Sequence, residues 1–196
     1  MDRSIKNIQI SPFACAVIAV SILTIPMKWV LAWLGAVAIH EAGHLLALVL
    51  CGVRIYDFKI NLNGAKIVTE QMQGQQTLIT TLAGPLIGAV PILFARLNPH
   101  LAVCSALLTL YNIMPLFPLD GGRVLYCVVS FLFQNSLGVK IYKIISRLFL
   151  ISLTIACVVV SNKFDLGCIL PAFCLILIVR YWNGNPSCKE RELIVQ

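Results

Sequence analysis

The sequence predicts an all-α polytopic membrane protein, six transmembrane helices with a small membrane-associated β-hairpin, and three observations carry that expectation. Of its 196 residues 59% are hydrophobic and only 12% charged, and a mean hydropathy of +0.90 leaves too little polar surface for a soluble domain of this length. The apolar residues gather into runs close to the ~20 that cross a hydrocarbon core. One stretch departs from this and alternates with a period of two, the mark of a strand.

Six runs approach spanning length, at 8–26, 29–51, 76–95, 99–118, 143–161 and 165–182. A shorter apolar piece, Val124 to Phe133, is expected to lie as a helix against the bundle. The first run follows Asp2, Arg3 and Lys6 but has no small-residue cleavage site after it, so it reads as a retained helix and not a signal peptide. No repeat, low-complexity segment or linker divides the chain. Residues 1–182 therefore read as a single transmembrane domain and 183–196 as a short tail.

Basic residues exceed acidic ones, 15 against 8, yet they cluster at the ends of apolar runs and form no patch or stripe suited to nucleic acid. With six spans, one side receives Arg3, Lys6, Arg54, Lys59, Lys66, Arg123, Lys140, Lys143, Arg147, Arg180, Lys189 and Arg191, and the other only Lys28, Arg96 and Lys163. That asymmetry orients the chain in the cell membrane with both termini cytoplasmic. The 8 cysteines form no CxxC pair and read as small core hydrophobes.

From Tyr56, apolar Tyr56, Phe58, Ile60 and Leu62 alternate with polar Asp57, Lys59, Asn61 and Asn63. Asn63-Gly64 is a turn dipeptide, and Ala65 to Thr69 is a candidate return strand. The hairpin is expected on the cytoplasmic side after the second span.

The second span holds His40-Glu41-Ala42-Gly43-His44. Two histidines at i and i+4 share one helix face and can ligate one Zn²⁺, while the adjacent glutamate can serve as acid/base for a water there. Buried polar residues bonded between helices are the plainer explanation, but each charged acid near the bilayer centre costs roughly 2.5 kcal/mol or more. Hydrolytic zinc normally takes three protein ligands. The acids outside the tails and the hairpin reduce to Asp165, near the opposite face, and Asp120, which ends Asn112-Ile113-Met114-Pro115-Leu116-Phe117-Pro118-Leu119-Asp120-Gly121-Gly122. Pro115 and Pro118 break the fourth span at a depth where irregular backbone must be buried or line a cavity. On these residues alone, a helix stop with a solvated Asp120 and a Gly-Gly turn is the favoured explanation of the segment, because such turns are common.

HEAGH in one span with NIMPLFPLDGG at the end of a later one resembles the site-2 protease family of intramembrane zinc metalloproteases, most nearly its stage IV sporulation protein FB-like group. The resemblance covers essentially the whole transmembrane chain. It implies His40, His44 and Asp120 as ligands of one Zn²⁺, Glu41 as the catalytic acid/base, and Asn112, Pro115 and Pro118 as substrate-positioning residues. It further implies a membrane-tethered or membrane-associated regulatory protein as substrate, a pro-sigma factor in a sporulating cell, with an inhibitory membrane protein as a candidate partner. Two departures stand out. The family's Gly-Pro-x-x-Asn pattern reads Gly84-Pro85-Leu86-Ile87-Gly88 here, and no nucleotide-sensing CBS domain is expected after the last span.

Amide hydrolysis in lipid requires the substrate helix to unwind, because its backbone amides are already bonded internally. The edge of the Tyr56 to Thr69 hairpin could pair with the extended segment. The alternative function is a membrane ion or metal transporter using the same histidines and acids as a cation path. A transporter, however, is expected to spread such residues over matching halves, and no internal repeat is present. His100, at the far end of the fourth span, reads as an interfacial side chain.

Overall fold

The computed structural model describes residues 8–10, 24–61, 64–69, 72, 74–133, 135–164, 167 and 169–183. The chain forms two compact units, Met1–Tyr111 and Asn112–Gln196.

In the first unit, strand β1 (Ile8–Ile10) is followed by helix α1 (Met27–Leu50), strands β2 (Ile55–Asn61) and β3 (Gly64–Thr69), and helices α2 (Gly74–Gly88), α3 (Val90–Leu93) and α4 (Pro99–Ile113). Apolar residues without an internal breaker carry α1 through 24 residues, about 36 Å of axial rise. Its end is set by Gly52 at φ 69°. The Gly52 N–H reaches the Val49 carbonyl at 3.1 Å and the Val53 N–H the Leu48 carbonyl at 3.0 Å, the paired bonds of a glycine-terminated helix. Pro85 removes a donor from α2, which stops at Gly88 before the short α3. Asn98 opens α4, its Oδ1 accepting the Leu101 N–H at 3.1 Å with Pro99 at the first helical position. Ala32, Ala36 and Cys104 form a buried cluster with Trp29, Leu101 and Leu108 packed around it.

β2 and β3 pair antiparallel, with Phe58 opposite Ile67 and Asn61 opposite Gly64. β1 adds in parallel, Ile8 opposite Phe58 and Ile10 opposite Ile60. This corrects the expectation of helix from residue 8, since two β-branched residues flanking Gln9 favour extended backbone. The rest of that first predicted span, up to residue 23, lies outside the described residues, as does the turn residue Asn63.

The second unit contains α5 (Asp120–Leu132), α6 (Asn135–Lys163) and α7 (Ile169–Asn183). The predicted 99–118 run ends as helix at Ile113, because Pro115 disfavours helical backbone at the preceding residue. By contrast, the predicted 143–161 run grows to begin at Asn135. Nothing within 135–142 breaks the helix, and polar residues there do not oppose helical backbone.

Among the described residues, Met27–Leu50, Gly74–Leu93 and Leu137–Lys163 are long and apolar enough to cross a membrane, and Pro99–Ile113 and Leu170–Trp182 are shorter apolar helices. Leu31, Leu46, Val49 and Leu50 lie exposed on α1, as lipid-facing side chains do. The protein is a predominantly helical membrane protein.

Candidate metal centre

His40 is buried, 3% exposed, and Glu41 and His44 are half-buried on the same helix. One turn of α1 sets the two imidazoles edge to face, centroids 4.9 Å apart at 82°, and brings their Nε2 atoms within 3.2 Å. His44 Nδ1 lies 2.8 Å from the Thr80 carbonyl oxygen on α2. A carbonyl only accepts, so Nδ1 carries the proton and donates it, and the Nε2 lone pair is directed at the space shared with His40.

That approach requires α2 to come close, and glycine permits it. A Cβ built on Gly84 would run into the His44 imidazole, and one on Gly88 would stand 3.0 Å from His40 Nδ1. From the other side, a Cβ on Gly43 would be 2.7 Å from the Ala83 carbonyl oxygen. Gly84 and Gly88 thus match His40 and His44 at the same spacing of four, small residues facing bulky ligands. The departure at Gly88 has a physical reading, since a side chain in its place would press on His40.

In the second unit Asp120 is the first residue of α5 and only 8% exposed. The broken segment before it has its own supports. The Tyr142 hydroxyl accepts the Phe117 N–H at 3.0 Å, and Ser146 Oγ donates to the Pro115 carbonyl at 2.7 Å. Both come from α6, one turn apart, and both are almost wholly buried. They meet backbone groups that a helix would otherwise have paired. Gly121 and Gly122 are needed because any Cβ there would strike the Ile113 carbonyl and the Leu116 backbone. Asn112 and Pro118 are half-buried in or beside this segment, and Pro115 is anchored through its carbonyl.

Sequence reasoning missed Thr80, Gly84, Tyr142 and Ser146. Gly84-x-x-x-Gly88, matched in spacing to His40-x-x-x-His44, was a signal of close helix approach that could have found the first two. Nothing in the sequence marked the last two, whose role depends on where α6 packs. The histidine pair fits zinc, since two nitrogens about 2.0–2.1 Å from a tetrahedral ion lie about 3.3 Å apart.

Comparison with known proteins agrees with this chemistry. Residues 81–156 match the sequence profile of Peptidase family M50. The chain is 26% identical over 135 residues to the zinc metalloprotease MJ0392 of Methanocaldococcus jannaschii, covering 60% of this chain and 40% of that protein. It is 26% identical over 140 residues to stage IV sporulation protein FB of Bacillus subtilis, covering 64% and 49%. The chain thus matches less than half the length of either relative. A solved site-2 protease from Methanocaldococcus jannaschii has the same fold, with a TM-score of 0.64 over 94% of both chains at 20% identity. The profile match over 81–156 and the two relatives make the chain similar to Peptidase family M50, and the solved structure shows that it shares the site-2 protease fold.

Proposed function

We propose that this chain is an intramembrane metalloendopeptidase that hydrolyses a peptide bond of a membrane-tethered or membrane-associated regulatory protein. The observation that carries the reading is the convergence of His40 and His44 Nε2 at 3.2 Å with the His44 tautomer set by Thr80. Asp120 is the third ligand of a single Zn²⁺. Its support is the cost of a buried carboxylate, which calls for a cation, and its place inside the region matched to the family. When bound, zinc would polarise the scissile carbonyl and make water acidic enough to be a nucleophile near neutral pH.

Glu41 follows His40 on the same helix and is the general base, taking a proton from the attacking water and returning it to the leaving amine. His40 and His44 would hold the ion through their facing Nε2 atoms. Asn112, Pro115 and Pro118 position the substrate, and the paired strands β2 and β3 lie at the membrane surface and offer an edge to its unwound segment.

Six spans across residues 1–182 and a cytoplasmic tail at 183–196 complete the topology, with both termini cytoplasmic, supported by the basic-residue asymmetry. Likeness to stage IV sporulation protein FB favours a pro-sigma factor as substrate. An inhibitory membrane protein is a further candidate partner. The transporter alternative has no comparable support.

The test compares wild type with Glu41→Gln on a panel of tethered substrates and measures metal in His44→Ala. Cleavage should fall about 10²- to 10⁴-fold in the first and zinc should be lost in the second. Equal cleavage by Glu41→Gln would remove the mechanism, and equal zinc in His44→Ala would remove the ligand assignment.

A further inference from the structure

The first unit also holds a trough that the metal centre does not use. A cavity of about 260 Å³ is walled by Ile39, Ile87, Val90, Phe94 and Leu97, and ends at Asn98 and Leu101. A second, of about 310 Å³, shares Asn98 and Leu101 and continues to Lys28 and His100. The two adjoin at Asn98 and Leu101, which line both, the first being otherwise apolar and the second bordered by Lys28 and His100. The apolar end begins at Ile39, one residue from His40.

We propose that this trough binds one anionic phospholipid, with an acyl chain along the Ile39 to Leu97 wall and the phosphate held by Lys28 and His100. Several observations fit that occupant. The segments 24–30 and 94–101, which supply Lys28 and His100 to the second cavity, also contain Arg96 and no Asp or Glu. A zwitterionic headgroup would bring an ammonium with no carboxylate in those segments to receive it, whereas an anionic one presents only charge that Lys28 attracts.

His100 is held at the mouth by Trp29, whose ring meets the imidazole edge to face at 4.6 Å. Tryptophan at such a position is the usual companion of a headgroup layer. Asn98 spends its Oδ1 on the Leu101 N–H, which turns its amide donors to other partners. The N-terminal end of α4 adds a favourable field for a phosphate. The basic-residue count points the same way. The sparsely charged side of the membrane has only Lys28, Arg96 and Lys163, and two of these three belong to the segments around the trough. This inference rests on the membrane placement proposed above and not on the metal chemistry.

The experiment uses the full chain purified in detergent, with lipid retention measured by native mass spectrometry. Phosphatidylglycerol and phosphatidylcholine of identical acyl chains are compared, with glycerol 3-phosphate as a chainless competitor. One phosphatidylglycerol should be retained about fivefold more tightly than phosphatidylcholine, the increment of one additional charge contact. Lys28→Gln combined with His100→Gln should bring it down to the phosphatidylcholine level, and Val90→Trp, which fills the apolar wall, should displace both lipids.

Equal retention of the two lipids by wild type, or displacement by glycerol 3-phosphate, would overturn the proposal. The wild-type comparison decides the matter even if a variant does not fold. Zinc content and Glu41-dependent cleavage followed on the same preparations separate the two readings. Loss of lipid preference with cleavage intact sinks only the lipid site, and lipid preference without zinc sinks only the peptidase.

Discussion

His40 and His44 present their Nε2 atoms to each other at 3.2 Å while His44 gives its Nδ1 proton to the Thr80 carbonyl at 2.8 Å. A helix places residues i and i+4 on one face, but it does not choose a tautomer or a ring orientation. The backbone of α2 makes both choices, and the glycines of α2 let it come near enough to do so.

Gly84→Ala tests that arrangement directly. Its Cβ would displace the His44 ring, so zinc affinity should fall roughly 10- to 100-fold, the range seen when groups orienting a ligand are lost. Gly88→Ala should cost less, since its Cβ would meet His40 Nδ1 at 3.0 Å, tight but not overlapping. Chelator competition on the purified protein reads both. Unchanged affinity in Gly84→Ala would show that the His44 ring is not held by α2.

Asp120→Asn and Glu41→Gln should part company. A carboxylate that ligates the ion contributes charge as well as a lone pair, so Asp120→Asn should lose both zinc and cleavage. Glu41→Gln should keep its zinc and lose about 10²- to 10⁴-fold in rate, the usual contribution of a general acid/base. Metal analysis beside a cleavage assay distinguishes them, and full zinc retention in Asp120→Asn would require another third ligand.

Tyr142→Phe leaves the Phe117 N–H without its acceptor and Ser146→Ala leaves the Pro115 carbonyl without its donor. Each should destabilise the second unit by about 1–2 kcal/mol, the cost of orphaning a partly buried backbone group. Because both anchor one short segment, the double variant should be less than additive. Thermal unfolding in detergent measures it, and strict additivity would mean that the two bonds act independently.

Cys127, on α5 outside the proposed spans, has its thiol pushed up to about 11 by burial, against the opposing pull of the Arg123 cation. The raised value keeps it as a thiol at neutral pH, and thiolate formation begins only in strongly alkaline solution. Maleimide labelling at pH 7 should therefore spare Cys127 in the folded protein and modify it after denaturation, as read by peptide mass mapping. Rapid labelling of the folded chain would contradict its burial.

The parts of the fold that could be read early were those with a local cause. Hydropathy alone located α1 and the body of α6, because burial in lipid selects unbroken apolar runs. Pro115 and Pro118 announced that the fourth run would not stay helical, although the stop came at Ile113 and not at residue 118. Residues 8–10 misled, since apolar content does not distinguish a lipid-bound helix from a strand, and there the two isoleucines lie against β2.

His40, Glu41 and His44 could be proposed as ligands and acid/base from their spacing in the chain as written, whereas Asp120 was singled out as a ligand only by the family resemblance. What only packing could supply was their surroundings: the Thr80 carbonyl that orients an imidazole, the bare Gly84 and Gly88 surface beneath it, and the Tyr142 and Ser146 hydroxyls that hold a broken helix. A backbone carbonyl carries no letter of its own, a Gly-x-x-x-Gly pair announces close approach without naming what approaches, and a serine or tyrosine acquires such a role only when a distant helix brings it within bonding distance.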